Sequence, residues 1–202
     1  MNMLHFRHAT KAFDSTKTIE KDDINYILEA GRLSPSSFGI EPWEFLVMGS
    51  KDMKNELQKA CFNQVQVSSA SMVIVVLARK DLRLEDGYVE SLLSAQGEEY
   101  YENTLKDMYS GYVNTLSDEQ LLEYSDKQCY LASMNLMNAG AILGIDSCPM
   151  GGFESDKIMK LLEIDCLTYE VSMVIPFGYK SATISPKLRR DFDEVVKFID
   201  EF

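Results

Sequence analysis

Arg7, His8, Thr10 and Lys11 place two cations, an imidazole and a hydroxyl within five residues near the start of the chain. Guanidinium and ammonium groups form charge-assisted hydrogen bonds to anions, so this spacing can bracket a phosphate. A solvated basic turn has the same composition, and charge clusters are more often plain surface. A second cationic group, Pro186-Lys187-Leu188-Arg189-Arg190, stands at the far end of the chain. Between them, Ser34-Pro35-Ser36-Ser37-Phe38-Gly39 runs into Pro42-Trp43, where hydroxyls and free backbone N–H groups can hold a polar heterocycle. A simple helix stop accounts for that loop better on local grounds, and Trp43, the sole tryptophan, suits a core anchor more than a stacking platform. Asn63-Gln64-Val65-Gln66 offers amides that donate and accept together, although turn formation also favours Asn63. Cys148-Pro149-Met150-Gly151-Gly152-Phe153 puts two glycines where backbone N–H groups can approach a ligand, or where a strand turns into a helix. There is no Ser/His/Asp order, no P-loop and no Gly-x-Gly-x-x-Gly, so the reactive group need not be an amino acid.

Strands and helices must position these pieces. Residues 21–33 carry Ile24, Ile27, Leu28 and Leu33 at helical spacing, with Asp22 and Asp23 in the first turn and Pro35 as the stop. Residues 44–49 read as a strand, and Ser50 caps a helix to about Phe62. Met72 to Ala78 is β-branched and continuous, as in a strand buried on both faces. Residues 86–116 are acidic, tyrosine-rich and helical, with Gly87, Gly97 and Gly111 as weak points. A helix from about Asp118 to Leu143 carries Leu121, Leu122, Tyr130, Leu131, Met134, Leu136, Met137, Ala141 and Ile142, an apolar arc wide enough for the centre of a fold or an interface. Ile145 to Met150 reads as a short strand, 154–163 as a helix and Tyr169 to Gly178 as a second buried strand. The stretch from Phe192 to Phe202 suits an arm reaching onto a partner.

Length and patterning give one domain over 1–202, with a helical excursion at about 86–116 and a C-terminal arm at about 186–202. A net charge of -12 argues against nucleic acid and against a polybasic membrane contact. No apolar stretch approaches the roughly 20 residues of a membrane span. Charges occupy the N-terminus where a signal peptide would be apolar, so the expected location is cytoplasmic. Cys61, Cys129, Cys148 and Cys166 are scattered without a Cys-x-x-Cys pair, which favours reduced, buried thiols, and two histidines make a metal centre improbable.

Taken in order, Arg7-His8-x-x-Lys11, Ser34-Pro35-Ser36-Ser37 with Pro42-Trp43, Asn63-x-x-Gln66, Pro149-x-Gly151-Gly152-Phe153, Ile175-Pro176-Phe177-Gly178-Tyr179 and Lys187-x-Arg189 resemble the FMN-dependent nitroreductase family. The resemblance implies an α+β fold, a central and mainly antiparallel sheet flanked by helices, in an intertwined homodimer with FMN at the interface. It also implies an oxidoreductase that takes electrons from NAD(P)H and passes them by a ping-pong cycle to a nitroaromatic, a quinone or a similar acceptor. By the same resemblance, Arg7, Lys187 and Arg189 would hold the phosphate, with His8 and Ala9 beside it. Lys11 and Asn63 would address the N1–C2–N3 edge of the ring, with Gln66 also a cofactor-binding residue, and Pro149, Met150, Gly151 and Gly152 would line its N5 side. Pro35, Ser36 and Ser37 would come from the other subunit, and Tyr100, Tyr101 and Tyr109 would belong to a substrate lid. The sequence departs from the family at Ala9, where serine is common, at Gln66, where some members have lysine, at Gly151, where some have glutamate, and at Gly39, where some have asparagine. Alternatives are a flavin store or sensor with little turnover, a specialised reaction such as reductive dehalogenation, and an acidic interaction domain without a cofactor.

Overall fold

The computed structural model describes residues 3–183 and 185–200, so five positions of the expected unit 1–202, two of them at the tip of the arm 186–202, lie outside the described residues. Four strands, β1 (Trp43–Met48), β2 (Met72–Arg79), β3 (Asp146–Ser147) and β4 (Tyr169–Gly178), form one sheet in the order β1-β2-β4-β3. Every pairing is antiparallel, with Phe45 opposite Val76, Val75 opposite Val174 and Ser147 opposite Phe177. The helices are α1 (Met3–Phe6), α2 (Lys21–Arg32), α3 (Lys51–Ala60), α4 (Val65–Ser69), α5 (Tyr88–Ser94), α6 (Glu98–Tyr100), α7 (Lys106–Tyr112), α8 (Asp118–Ile142), α9 (Ser155–Leu161) and α10 (Phe192–Val195). The α+β class and the antiparallel sheet are as expected.

The continuous apolar run of β2 serves two cores at once, because successive side chains of a strand point to opposite faces. Val73, Val75 and Leu77 pack with Leu57, Val67 and Ile158 under α3, α4 and α9. Met72, Ile74 and Val76 pack with Ile27, Leu136 and Phe177 under α2 and α8. Each fully buried side chain of this kind contributes roughly 1.5–3 kcal/mol. At the crossing of α2 with α8 only a glycine fits: a Cβ on Gly31 would lie 2.5 Å from Leu136 Cδ2 and 3.0 Å from Phe45 Cε2.

A third cluster packs Val89, Leu93, Tyr101, Leu105, Tyr109 and Val113 of the helical excursion against Ile40, Leu82, Leu121 and Tyr124. Gly87 (φ +80°) and Gly97 (φ +129°) break its helices as expected, whereas Gly111 lies inside α7 and interrupts nothing. A single π-helical turn over Tyr101–Leu105 joins α6 to α7.

Ser117 and Gln120 close a capping box at the start of α8, and Gly144 (φ +77°) follows its end. Leu121, Leu136, Met137 and Ala141 are buried, but Tyr130, Leu131, Met134 and Ile142, from the same expected apolar arc, face outward. The C-terminal segment is similarly bare: Leu188, Phe192, Phe198 and Ile199 are all exposed. The cysteines are free; Cys61, Cys129 and Cys148 are buried, while Cys166 is exposed, against expectation.

Candidate functional site

The segment after α1 runs alongside the β3 edge of the sheet. Ala9 bridges Ser147 in parallel, the Thr10 N–H donates to the Ser147 carbonyl at 3.1 Å, and Phe13 bridges Lys180. Phe13 is buried, and its N–H donates to Ser69 Oγ in α4 at 3.1 Å. Extended backbone sends alternate side chains to opposite sides. Thr10 turns inward, where its hydroxyl donates to Asp146 Oδ1 at 3.4 Å, so it is a packing residue rather than a phosphate ligand. Lys11 turns outward, and its ammonium donates to Cys148 Sγ at 3.7 Å. Burial pushes the Cys148 thiol pKa up, opposed by the charges of Lys11 and then Arg7, which places both cations beside it.

Three cations from opposite ends of the chain meet here. Lys187 donates from Nζ to the Leu4 carbonyl. Its pKa is lowered, first by partial loss of water and then by the repulsion of Arg7 and Arg189. Among the described residues, none of Arg7, Lys187 and Arg189 forms a salt bridge, although the chain carries a net charge of -12. Like charges crowded together without a counter-ion suit an anion such as a phosphate dianion. His8 Nδ1 sits 2.6 Å from the Phe6 carbonyl, an acceptor only, so Nδ1 carries the proton and donates. Ala9 is exposed beside it.

Opposite this segment lie the loop of residues 148–152 and the start of α4. Cys148 N–H donates to Pro176 O at 3.1 Å, and Met150 exchanges backbone hydrogen bonds of 2.9 and 3.1 Å with Val174. With its side chain buried too, Met150 offers a ligand neither side chain nor N–H, against expectation. Pro149, half-buried, has no N–H to give. Gly151 and Gly152 are exposed, and among the described residues their N–H groups have no hydrogen-bond partner. Nothing lies within 4 Å of where a Gly151 Cβ would stand. Asn63 is exposed on a left-handed turn shared with Phe62 (φ +56° and +53°), its backbone tied to Gln58. Gln66 is buried, and its Nε2 donates to Gln64 Oε1 at 2.9 Å, while Gln64 Nε2 donates to Gly152 O at 2.9 Å. Gln64 and the exposed ring of Phe62 beside Gly152 were missed as individual residues. The amide-rich run signalled Gln64, and nothing in the sequence signalled Phe62.

Pro35, Ser36 and Ser37 stand elsewhere, on the far end of α2. Ser36 Oγ accepts from Glu41 N–H and Ser37 N–H donates to Gln128 Oε1 of α8, both at 2.9 Å; Pro35 is exposed. No hydrogen bond among the described residues joins them to the cation cluster. The lid tyrosines divide. Tyr101 is buried and donates to Glu90 Oε1 at 3.1 Å, and Tyr109 is buried and donates to Leu82 O at 2.7 Å. Both hold the excursion together, which corrects their assignment to a substrate pocket. Only Tyr100 is exposed, beside a shallow recess lined by Gly97, Asn103 and Thr104.

Among the described residues no cluster of side chains suits a metal, and no helix is long and apolar enough to cross a membrane. The chain is 36% identical over 98% of its length to a Staphylococcus haemolyticus protein provisionally named an NAD(P)H nitroreductase, of which 96% is covered. Its fold is similar to that of a nitroreductase structure from Bacillus subtilis, YdfN, at TM-score 0.85 and 26% identity, covering 98% of this chain and 97% of that one. It is also similar to an Exiguobacterium sibiricum nitroreductase solved with FMN, at TM-score 0.81 and 27% identity, covering 98% and 96%. A profile of the nitroreductase family matches residues 4–179, and the chain belongs to that family.

Proposed function

We propose that this protein is an FMN oxidoreductase that takes electrons from NAD(P)H and passes them to an electron-poor acceptor, a nitroaromatic, a quinone or a similar molecule, in a ping-pong cycle. The observation that carries the proposal is the meeting of Arg7, Lys187 and Arg189, without a carboxylate partner among the described residues, beside Lys11 and the open Gly151-Gly152 backbone. That donor set fits FMN: cations for the phosphate, an ammonium and two amides for the pyrimidine edge, backbone N–H groups for the remaining edge. The relative solved with FMN supports the same choice. FMN, when bound, supplies the two-electron chemistry, and the protein's part is binding, orientation and electrostatics.

Each residue then has a task. Arg7, Lys187 and Arg189 hold the phosphate, with His8 and Ala9 alongside. Lys11 places a positive charge at the N1 edge, which favours the reduced, more negative ring. Asn63 and Gln66 address the pyrimidine edge with their amides. Gly151 and Gly152 donate from the backbone and leave the face above them open, because neither carries a side chain. Pro35, Ser36 and Ser37 serve from a second subunit. The outward apolar residues of α8 and the bare C-terminal arm support such a homodimer.

The test is an absorption spectrum after FMN addition and desalting, repeated anaerobically with NADPH and then NADH. Retained flavin absorption near ~450 nm that bleaches with a nicotinamide supports the proposal. Retained flavin that neither donor reduces refutes the oxidoreductase, and no retained flavin refutes the cofactor.

A further inference from the structure

Gln66, Gln64 and Gly152 form a chain of hydrogen bonds whose direction is fixed at one end. A backbone carbonyl can only accept, so Gln64 must turn its NH2 toward Gly152 O, as the 2.9 Å contact requires. Gln64 Oε1 therefore faces Gln66, and Oε1 can only accept. Gln66 must in turn present its own NH2, again at 2.9 Å. Its carbonyl oxygen is left pointing away from Gln64, without a hydrogen-bond partner among the described residues and on a side chain only 5% exposed. An isolated glutamine would choose either orientation. This one has no choice, because the acceptor two links away decides it.

The consequence is for the cofactor edge, and it rests on the proposal that this rim takes FMN. Of the polar atoms along an oxidised isoalloxazine edge, N1, O2, O4 and N5 accept, and N3–H alone donates. A glutamine locked so that only its carbonyl oxygen remains to be matched has one complementary partner there. We propose that Gln64 is a positioning residue that locks the Gln66 amide so that Gln66 accepts from the cofactor's N3–H, leaving the negative charge at N1 to Lys11. Gln64 also anchors the Gly152 carbonyl, which ties the end of the exposed Gly151-Gly152 turn to the start of α4.

The inference is tested with 3-methyl-FMN, which lacks the N3 proton, by titrating protein into each flavin and following fluorescence quenching. The native protein should bind FMN about tenfold more tightly than 3-methyl-FMN, the size of one lost hydrogen bond with its acceptor left unmatched. Gln64→Glu keeps an acceptor facing Gln66 and should preserve that ratio. Gln64→Lys presents a donor instead, should turn the Gln66 amide over, and should bring the ratio close to one. Gln64 is only half-buried, at the N-terminal cap of the five-residue α4, so both variants fold. Equal ratios in the two variants, or a native ratio near one with FMN still bound, would overturn the inference and leave the proposed function standing. A native protein that binds neither flavin would remove both.

Discussion

Replacing Gly31 by alanine tests whether α2 and α8 lie as close as the structure places them. The new methyl would stand 2.5 Å from Leu136 Cδ2, about 1 Å inside the ~3.5 Å at which carbon atoms meet comfortably. Leu136 is fully buried and has no solvent to retreat into. Either its side chain leaves its rotamer, at about 0.5–1.5 kcal/mol, or the helices part, at about 1–3 kcal/mol. Alanine recovers at most ~1 kcal/mol of helix propensity, and less here because Gly31 is next to the end of α2. The net expectation is a loss of about 1–2 kcal/mol, or roughly 2–8 °C in Tm for a chain of this size. Urea denaturation at one matched protein concentration reads the loss. In a Leu136→Ala background the obstructing methyls are gone, so the same change should become neutral or mildly stabilising. The displacement should also reach the next segment, because Ser34 Oγ donates to Ala30 O and accepts from Asn135 Nδ2 at 3.0 and 2.9 Å. A Gly31→Ala protein as stable as its parent would refute the close approach.

Arg189→Ala should weaken FMN binding by about 1.5–3 kcal/mol by calorimetric titration, the worth of a hydrogen bond to a charged group, and an unchanged affinity would take Arg189 out of the site. Lys11→Met should lower the flavin potential, by about 30 mV for each ~1.4 kcal/mol of lost preference for the reduced ring, as read against a redox dye. A potential at or above that of the native protein contradicts its place at N1. Burial raises the Cys61 and Cys129 thiols from 9.0 to about 12, so the folded state keeps protons that the unfolded chain releases above pH 9. Their contribution to stability is complete below pH 9 and is lost as pH climbs toward 12; the urea midpoint should therefore fall across that window, and a flat profile would show these thiols to be solvated.

The sequence located the elements best where one physical rule dominated. Tyr169–Gly178 matches β4 residue for residue, its β-branched and apolar run Met173 to Phe177 closed by Gly178. Ser50 accepts from Met53 N–H at 3.3 Å, as a cap read from residue type should. The Ile145–Met150 strand proved shorter, with only Asp146–Ser147 in the ladder, because Pro149 cannot donate and Met150 pairs alone with Val174. Tyr101 and Tyr109 could not be separated from Tyr100 by composition; the π-helical turn rotates them into the excursion's own core. The cations at positions 7, 187 and 189 were legible by charge type, but their meeting depends on tertiary structure alone. In the left-handed Phe62-Asn63 pair the turn-favouring Asn63 was legible, whereas Phe62 at positive φ had no signature.

Lys187 reaching the carbonyl of Leu4 brings together two parts of the chain that are 183 positions apart. An anion seated between Arg7 and Arg189 would therefore behave as a removable clasp across nearly the entire polypeptide. That contact adds to the Phe13–Lys180 bridge and the Ser181 N–H bond to Ala12 O, which already tie the two segments together. Ligand occupancy should then slow proteolytic trimming of the segments at both positions.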